Sequence, residues 1–261
     1  MSQPIIEIRD LSLLIANQSI LKSISLDISK GEFISIIGPN GAGKTSLLKC
    51  LMRIYPDYRG SVRLVNRPAD KMPQKKLAQY ISYVPQSNGR VFPFTVKEFV
   101  MMGRYPYLSP FTSYNSEDVR AMEQALELTG MSNFAGRHLD TLSGGERQIV
   151  FIAAAVAQGA KIMLLDEPAT FLDPMHKLKI HQILKILNRQ VGITIIMVTH
   201  DINIAALSSH RVVILKKGSL IFADIPTKMM NNHVLENTFE KSFNFMSHPK
   251  TGQQIIAPEV V

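Results

Sequence analysis

The chain has 261 residues, a formal net charge of +8, 46% hydrophobic residues and 19% charged residues. This length suits one large domain or one domain with a small appendage, and the composition excludes a globally disordered chain. The longest apolar run, Ile149–Ala157, is far shorter than the roughly 18 residues of a membrane-spanning helix. Without a leader-like N-terminus, and with Cys50 as the single cysteine, the sequence predicts a soluble intracellular protein.

The positive charge suits an anionic partner such as a nucleotide, a nucleic acid or the inner face of a membrane. The densest basic cluster, Asp70–Lys76, is short and has no interleaved aromatic residues. We interpret it as a solvated surface turn, so no nucleic-acid partner is expected.

In chain order, the first predicted elements form an antiparallel β layer. The segments Ile5–Ile15 and Ile24–Ser29 are strand-rich with turn residues between them, and Gly60–Pro68 fits the same layer. Four later segments are apolar without alternation, which is typical of buried parallel strands. These segments are Glu32–Gly38, Lys161–Asp166, Ile193–His200 and Arg211–Gly218.

Helical patterns separate the last three of these strands, and this alternation predicts an α/β fold with a mainly parallel core sheet. The middle of the chain has apolar residues at helical spacing after polar cap residues, so we predict a helical insertion over 99–141 within a helical subdomain of about 99–158. Residues 229–261 lack strong periodicity and stay unassigned.

The stretch GPNGAGKTS fits the phosphate-loop pattern G-x-x-x-x-G-K-[ST] between a predicted strand and a predicted helix. Its glycines let backbone N–H groups surround phosphate oxygens, and the helix N-terminus adds partial positive charge. Lys44 would bridge the β- and γ-phosphates, and Thr45 would bind Mg²⁺. The predicted nucleotide-binding residues are Gly38, Pro39, Asn40, Gly41, Ala42, Gly43, Lys44, Thr45 and Ser46.

Two acids, Asp166 and Glu167, end the strand of KIMLLDEP. Asp166 could hold Mg²⁺ directly or through water, and Glu167 could orient or deprotonate an attacking water. His200 ends another predicted strand and could contact the γ-phosphate, whereas a lone histidine is more often structural. Gln86, in YVPQ, offers an amide for Mg²⁺ or for the water.

The stretch TLSGGERQ contains a capping box, Ser143 with Glu146, directly before an apolar helical run. It therefore predicts a helix N-terminus and a second anion site without a lysine. An ordinary capped helix does not explain Gly144 and Gly145, because glycine in a helix costs up to roughly 1 kcal/mol per residue. Close approach to a ligand would explain both glycines.

These motifs occur in the order GPNGAGKTS, YVPQ, LSGGERQ, IMLLDEP, FLD and TH, and together they resemble the ATP-binding subunits of ABC transporters. The resemblance covers roughly Ile5 to Lys228, and it predicts an ATPase domain over 1–228. LSGGERQ is the most specific of the motifs. The segment Val96–Phe111 further resembles the subgroup that serves importers of iron–siderophore, haem and cobalamin complexes.

The resemblance implies ATP and Mg²⁺ as ligands and a homodimer packed head to tail. In that arrangement Ser143, Gly144 and Gly145 would complete the nucleotide site of the partner chain, and Asp173 in FLDP would touch the partner. The family also implies integral membrane permease subunits, an external solute-binding protein and a peripheral location on the cytoplasmic face of the cell membrane. Ile15 stands where the family usually has an aromatic residue against adenine, so weaker stacking is expected.

Two other functions remain open at this point. A soluble ABC-type ATPase acting on ribosomes or nucleic acid usually has two ATPase domains or a long coiled-coil insertion, and this chain has neither. An exporter ATPase is the other alternative, and the GRYPYL segment argues against it. Cargo is chosen by the other subunits, so iron chelates, haem and cobalamin are all compatible with this chain.

Overall fold

A computed structural model describes residues 3–86, 92–109, 112–250 and 252–257. The chain divides into two compact units, the first made of Met1–Lys71 with Ile196–Val261 and the second of Met72–Ile195. The strands are β1 (Pro4–Ile15), β2 (Gln18–Ser29), β3 (Phe33–Ile37), β4 (Arg59–Leu64), β5 (Arg67–Pro68), β6 (Ile81–Val84), β7 (Ile162–Asp166), β8 (Thr194–Val198), β9 (Arg211–Lys216), β10 (Ser219–Asp224), β11 (Phe245–Ser247) and β12 (Gln254–Ile256). The helices are α1 (Lys44–Leu51), α2 (Gln74–Leu77), α3 (Val96–Met102), α4 (Ser116–Thr129), α5 (Gly144–Ala157), α6 (Pro174–Arg189), α7 (Ile202–Ser208), α8 (Pro226–Met229) and α9 (Asn232–Phe239).

The first unit contains an antiparallel sheet with the strand order β2-β1-β4-β5. Its buried side chains include Ile6, Ile8 and Leu26, which lie on strands with exposed polar residues between the apolar ones. This alternation places one face of each strand in the core and the other face in solvent. The predicted antiparallel layer is confirmed.

The first unit also contains fully buried parallel strands. Strand β3 pairs in parallel with β9, from Ile34 opposite Arg211 to Ile37 opposite Ile214, and β9 pairs antiparallel with β10. After β8, the Thr199 amide donates a 3.1 Å hydrogen bond to the Ile36 carbonyl. All five residues of β3 are buried, which accounts for its continuous apolar sequence.

The C-terminal residues form helices α8 and α9 and the antiparallel hairpin β11–β12. Met229, Met230 and Leu235 join a buried cluster with Ala205 of α7, and the partly buried Phe245 and Ile256 pack against this cluster. The side chain of Asn203 binds the hairpin through both backbone groups of Ile256, accepting at 2.7 Å and donating at 3.0 Å. Strands of three residues are too short to show a period in the sequence, so the sequence left this segment unassigned.

In the second unit, β6 and β7 pair in parallel and α3, α4 and α5 pack together. A buried charge pair joins the three helices, because Arg104 Nε donates to Asp118 Oδ1 at 2.9 Å and Arg104 Nη1 donates to the Ala157 carbonyl at 3.0 Å. The Tyr107 ring lies 3.9 Å from the guanidinium carbon. The GRYPYL segment therefore fixes the end of α3 against α4 and α5.

The α/β fold with a parallel core, an antiparallel layer and helices agrees with the sequence prediction. The domain boundaries at 228 and at about 99–158 stay predictions. No helix in the described part of the chain combines the length and the apolar character needed to cross a membrane.

Candidate functional site

The loop of residues 38–46 runs from the end of β3 into the first turn of α1, in the first unit. Gly38 has φ +145°, and a Cβ there would lie 2.0 Å from the Leu215 carbonyl oxygen, so only glycine fits. Gly41 is exposed, and a Cβ on it would meet no atom within 4 Å. Leu47 donates its amide to the Gly43 carbonyl at 2.9 Å, which starts the helix. The loop therefore leads directly into a helix N-terminus, where backbone N–H groups can bind phosphate.

The side chain of Lys44 is folded onto this loop and is almost completely buried. Its ammonium donates to the Gly38 carbonyl at 2.8 Å and to the Pro39 carbonyl at 2.9 Å. Both acceptors are backbone carbonyls of the loop itself, so these contacts hold the ammonium group at the loop. An anion of several charges, such as a polyphosphate, complements it. Ser46 and Thr45 follow on the first turn of α1, half-buried.

His200 follows β8 and Thr199 in the first unit, and it is exposed. The next residue, Asp201, caps α7 by accepting the amide of Ile204 at 2.9 Å. The Asp201 amide in turn donates to the Thr199 hydroxyl at 3.1 Å. These hydrogen bonds fix the backbone next to His200.

The second unit presents Asp166 and Glu167 at the C-terminal end of β7. The Asp166 carboxylate is 5% exposed and accepts a 3.3 Å hydrogen bond from the Tyr83 hydroxyl. Burial, and then the charge of Asp166, raise the pKa of Tyr83, so the phenol stays protonated and keeps donating. The sequence predicted Asp166 but not Tyr83, because the pairing of β6 with β7 that brings them together is not visible in the sequence.

Glu167 adopts a left-handed backbone with φ +49°. A non-glycine residue in this region costs about 1–3 kcal/mol, and such strain concentrates at functional sites. Its Oε2 atom accepts from Gln86 Nε2 at 3.1 Å and from the Thr170 hydroxyl at 3.2 Å. The structure therefore brings together the predicted Glu167 and Gln86, and it adds Thr170, which the sequence reasoning missed.

Ser143 caps helix α5 with the predicted capping box. Its hydroxyl accepts the Glu146 amide at 3.2 Å, and the Glu146 carboxylate accepts the Ser143 amide at 2.8 Å. The hydrogen bond from the Ser143 backbone lowers the pKa of Glu146, which stays ionised. Ser143 and Gly144 are exposed at this turn, whereas Gly145 is buried. The two glycines thus differ in exposure, and the approach of each to a ligand stays a prediction.

Asp173 caps helix α6, and its Oδ1 atom accepts the amides of Met175 at 3.0 Å and His176 at 3.1 Å. Its Oδ2 atom lies 2.5 Å from Nδ1 of His176. The backbone and ring of His176 lower the pKa of Asp173, so the carboxylate is ionised at neutral pH. Nearby, Phe171 is 87% exposed. His176, like Tyr83 and Thr170, was not predicted from the sequence.

The remaining prediction concerns the base of a nucleotide. Ile15 ends β1 and is 38% exposed, next to a turn at Ala16 and Asn17. It offers an aliphatic surface where an aromatic ring could otherwise stack. Its contact with adenine stays a prediction.

A divalent cation would find oxygen ligands among the predicted residues. The described residues hold no group of three or more His, Cys, Asp or Glu side chains placed to bind a metal. Mg²⁺ does not need such a group, since it is usually held by one or two carboxylates, water and substrate phosphates. Thr45 offers a hydroxyl in the first unit, and Asp166 offers a buried carboxylate in the second unit. Each is by its chemistry a hard oxygen donor of the kind that Mg²⁺ prefers.

Comparisons with known proteins agree with this geometry. The profile of the ABC transporter family matches residues 21–170. The chain is 40% identical over 236 residues to the iron(3+)-hydroxamate import ATP-binding protein FhuC of Bacillus subtilis (strain 168), covering 90% of this chain and 88% of FhuC.

Solved structures show the same fold. A putative metal-chelate type ABC transporter in an inward-facing conformation matches with a TM-score of 0.86 and 24% identity, covering 99% of this chain and 98% of that chain. A dimeric bacterial ABC transporter cassette matches with a TM-score of 0.72 and 29% identity, covering 85% and 98%.

The phosphate loop, the strand-end carboxylates and these matches define a nucleotide-hydrolysing cassette. The chain belongs to the ABC transporter family, and it is an ATP-binding subunit that hydrolyses ATP to drive transport. The predicted resemblance is confirmed.

Proposed function

We propose that the chain energises the uptake of an iron complex through a partner permease. The observation that carries this proposal is the 40% identity to FhuC over 90% of this chain, since that relative is named as an import protein for iron(3+)-hydroxamate. Import places the chain on the cytoplasmic face of the cell membrane, bound to the permease. Haem and cobalamin are the alternative cargoes.

In the proposed reaction, residues 38–46 wrap the phosphates of ATP, with Lys44 on the β- and γ-phosphates. Mg²⁺, held by Thr45, Asp166 and the amide of Gln86, would neutralise charge that develops on the phosphates. Glu167 accepts a proton from a water whose oxygen attacks the γ-phosphorus, and the bond to the β–γ bridging oxygen breaks. His200 contacts the γ-phosphate. The two hydrogen bonds on Oε2 of Glu167 support this assignment because they orient the carboxylate before reaction.

We further propose that two copies of the chain close head to tail on two ATP molecules. Ser143 and Gly144 are exposed at the capped start of α5, and Asp173 is exposed at the start of α6, so both can meet another chain. The dimeric cassette with 29% identity supports this arrangement. Closure on ATP and reopening after hydrolysis would move the permease.

We propose that the permease contacts a cavity of about 430 Å³ on the second unit, which is lined by Phe94, Lys97, Glu98, Met101, Met102, Tyr114 and Met122. Methionine and aromatic side chains suit the apolar face of a short helix of the permease. Methionine side chains are flexible, so they can adapt to the shape of that helix. The charged lining residues Lys97 and Glu98 would fix the orientation of the permease helix. An external solute-binding protein would then act through the permease alone.

The experiment uses a tagged Glu167→Gln variant with Mg-ATP and detergent-solubilised native membranes. Recovery of a many-helix permease supports the import proposal. A second assay measures iron-complex uptake by cells. Uptake that is lost when the gene for this chain is deleted, and restored by the wild-type chain, assigns the cargo class. Loss of haem or cobalamin uptake alone would replace the iron assignment. Recovery of ribosomes or nucleic-acid proteins without a membrane protein would overturn it in favour of a soluble ATPase.

A further inference from the structure

The buried glycine at the start of α5 is required by a residue of the same chain. A Cβ on Gly145 would lie 2.1 Å from Cδ2, 2.2 Å from Cγ and 2.7 Å from Cβ of His176. Contacts this short do not occur between real atoms, so the His176 ring occupies the space of the missing side chain. A Cβ on Gly144 would meet only Cδ2 of Leu172, at an ordinary 3.9 Å.

The same ring is tied to Asp173. Its Nδ1 atom lies 2.5 Å from Oδ2 of Asp173, and the side chain of His176 is only 27% exposed. The other oxygen of Asp173 is held by two backbone amides at the start of α6. Both carboxylate oxygens therefore have donors, and one of these donors is the group packed on Gly145.

These contacts join two features that sequence reasoning treated separately. One is the capped turn of residues 143–145, and the other is the loop of residues 171–173 after β7. Because interiors are close-packed, a ring wedged against a backbone transmits a displacement of either partner to the other. The His176 side chain both fills the space where a Cβ on Gly145 would lie and binds the Asp173 carboxylate.

We propose that His176 is a positioning residue that holds the 143–145 turn and Asp173 in one fixed arrangement. This inference rests on the proposed function, in which both features face the partner chain and its nucleotide. His176 touches no reacting atom in that scheme. It sets the geometry in which ATP closes the dimer, so its loss raises the ATP concentration needed for turnover while the hydrolytic groups stay intact.

The first test is a double-mutant cycle at residues 145 and 176, measured as the thermal midpoint (Tm) of the full chain without nucleotide. This measurement does not depend on the proposed function. Gly145→Ala lowers Tm by about 2–5 °C, because the added Cβ displaces the His176 ring. The matched Gly144→Ala leaves Tm unchanged or slightly higher, since alanine is the better helix former. In a His176→Ala background, Gly145→Ala lowers Tm by a smaller amount, because the Cγ and Cδ2 contacts are gone and only the Cβ contact at 2.7 Å remains. An equal loss of Tm on Gly145→Ala in the wild-type and His176→Ala backgrounds would show that the His176 ring does not pack against residue 145.

The second test separates positioning from mere stability by steady-state ATPase kinetics on the full chain. His176→Ala raises KM for ATP several-fold with kcat within about twofold, and it weakens ATP-dependent dimerisation in the Glu167→Gln background. His176→Asn, which can place an amide donor near Asp173, recovers most of the wild-type KM. An unchanged KM in His176→Ala would defeat the proposal. A wild-type chain without Mg-ATPase activity would instead refute the proposed function, while the Tm cycle would still report on the His176–Gly145 contact.

Discussion

The side-chain amide of Gln86 donates a 3.1 Å hydrogen bond to the carboxylate of Glu167. The two residues are far apart in the sequence, at the ends of β6 and β7, and these strands are parallel neighbours. Parallel strands end at the same edge of a sheet, so residues that follow them meet there. The contact holds the proposed general base in one orientation.

Replacing this base should separate ATP binding from hydrolysis. Glu167→Gln should lower kcat by about 10²–10⁴-fold, the usual contribution of general-base catalysis. The Kd for ATP should change little, because the phosphate loop is untouched. Steady-state phosphate release and equilibrium ATP binding check this. Wild-type turnover in the variant would remove Glu167 from the mechanism.

The neighbour of the base should matter less than the base itself. Gln86→Ala should reduce kcat by about tenfold, the equivalent of one hydrogen bond of roughly 1.5 kcal/mol. Gln86→Glu, which places a like charge beside Glu167, should be more damaging than Gln86→Ala. Phosphate-release assays at saturating Mg-ATP compare the variants, and the reverse order of severity would contradict the geometry.

The phosphate loop should tolerate no side chain at its first glycine. Gly38→Ala forces a Cβ to within 2.0 Å of the Leu215 carbonyl oxygen at a left-handed φ, so the loop must shift. We expect a lower free energy of unfolding by at least about 1 kcal/mol and loss of ATP binding. Gly136→Ala is the control, since a Cβ there meets nothing within 4 Å. Chemical denaturation and ATP titration of both variants measure the difference.

Removing one partner of the buried Arg104–Asp118 pair should strongly lower the free energy of unfolding. Arg104→Met leaves the Asp118 carboxylate buried without its guanidinium, which typically costs about 3–5 kcal/mol. Arg9→Met removes an exposed pair with Asp27 and should change stability little. Urea unfolding of both variants is the measurement, and similar midpoints would show that the buried pair contributes no more than the exposed one.

Low pH should destabilise the same helical region through protonation of Asp118. The Asn115 backbone amide, and then Arg104, lower the pKa of Asp118 in the folded chain. A lowered folded pKa contributes stability above the unfolded value of about 3.9, and this stability is lost as the pH falls through the folded pKa. The wild-type chain should therefore lose stability below about pH 4 more steeply than Asp118→Asn. Thermal midpoints measured from pH 6 downwards would reveal the difference in slope.

The C-terminal hairpin should depend on a single side chain. Asn203→Ala removes both hydrogen bonds to Ile256, which should cost about 1–3 kcal/mol locally. The Ile256 amide should then exchange its hydrogen about 10-fold faster or more, while amides of β3 keep their protection. Asn237→Ala, at an exposed position on α9, is the control. Unchanged exchange at Ile256 would show that the aromatic contacts alone hold the hairpin.

The amino-acid sequence by itself determined the elements whose patterns are local. The phosphate loop, the buried strands and the capping box at Ser143 depend on residues within a few positions of one another, so periodicity and spacing reveal them. The order of the motifs was sufficient to indicate the family. The acids Asp166 and Glu167 were predictable because they directly follow a continuous apolar strand.

Contacts between distant residues were decided only by the tertiary structure. Tyr83 and Gln86 reach Asp166 and Glu167 because β6 pairs with β7, and no pattern in the sequence contains that pairing. The His176 ring lies where a side chain on Gly145 would lie, and no pattern in the sequence contains that packing. The C-terminal hairpin has strands too short to carry a period, and it is stabilised by contacts with α7 and its neighbours. Local patterns encode local structure, and side-chain packing between elements requires the folded chain.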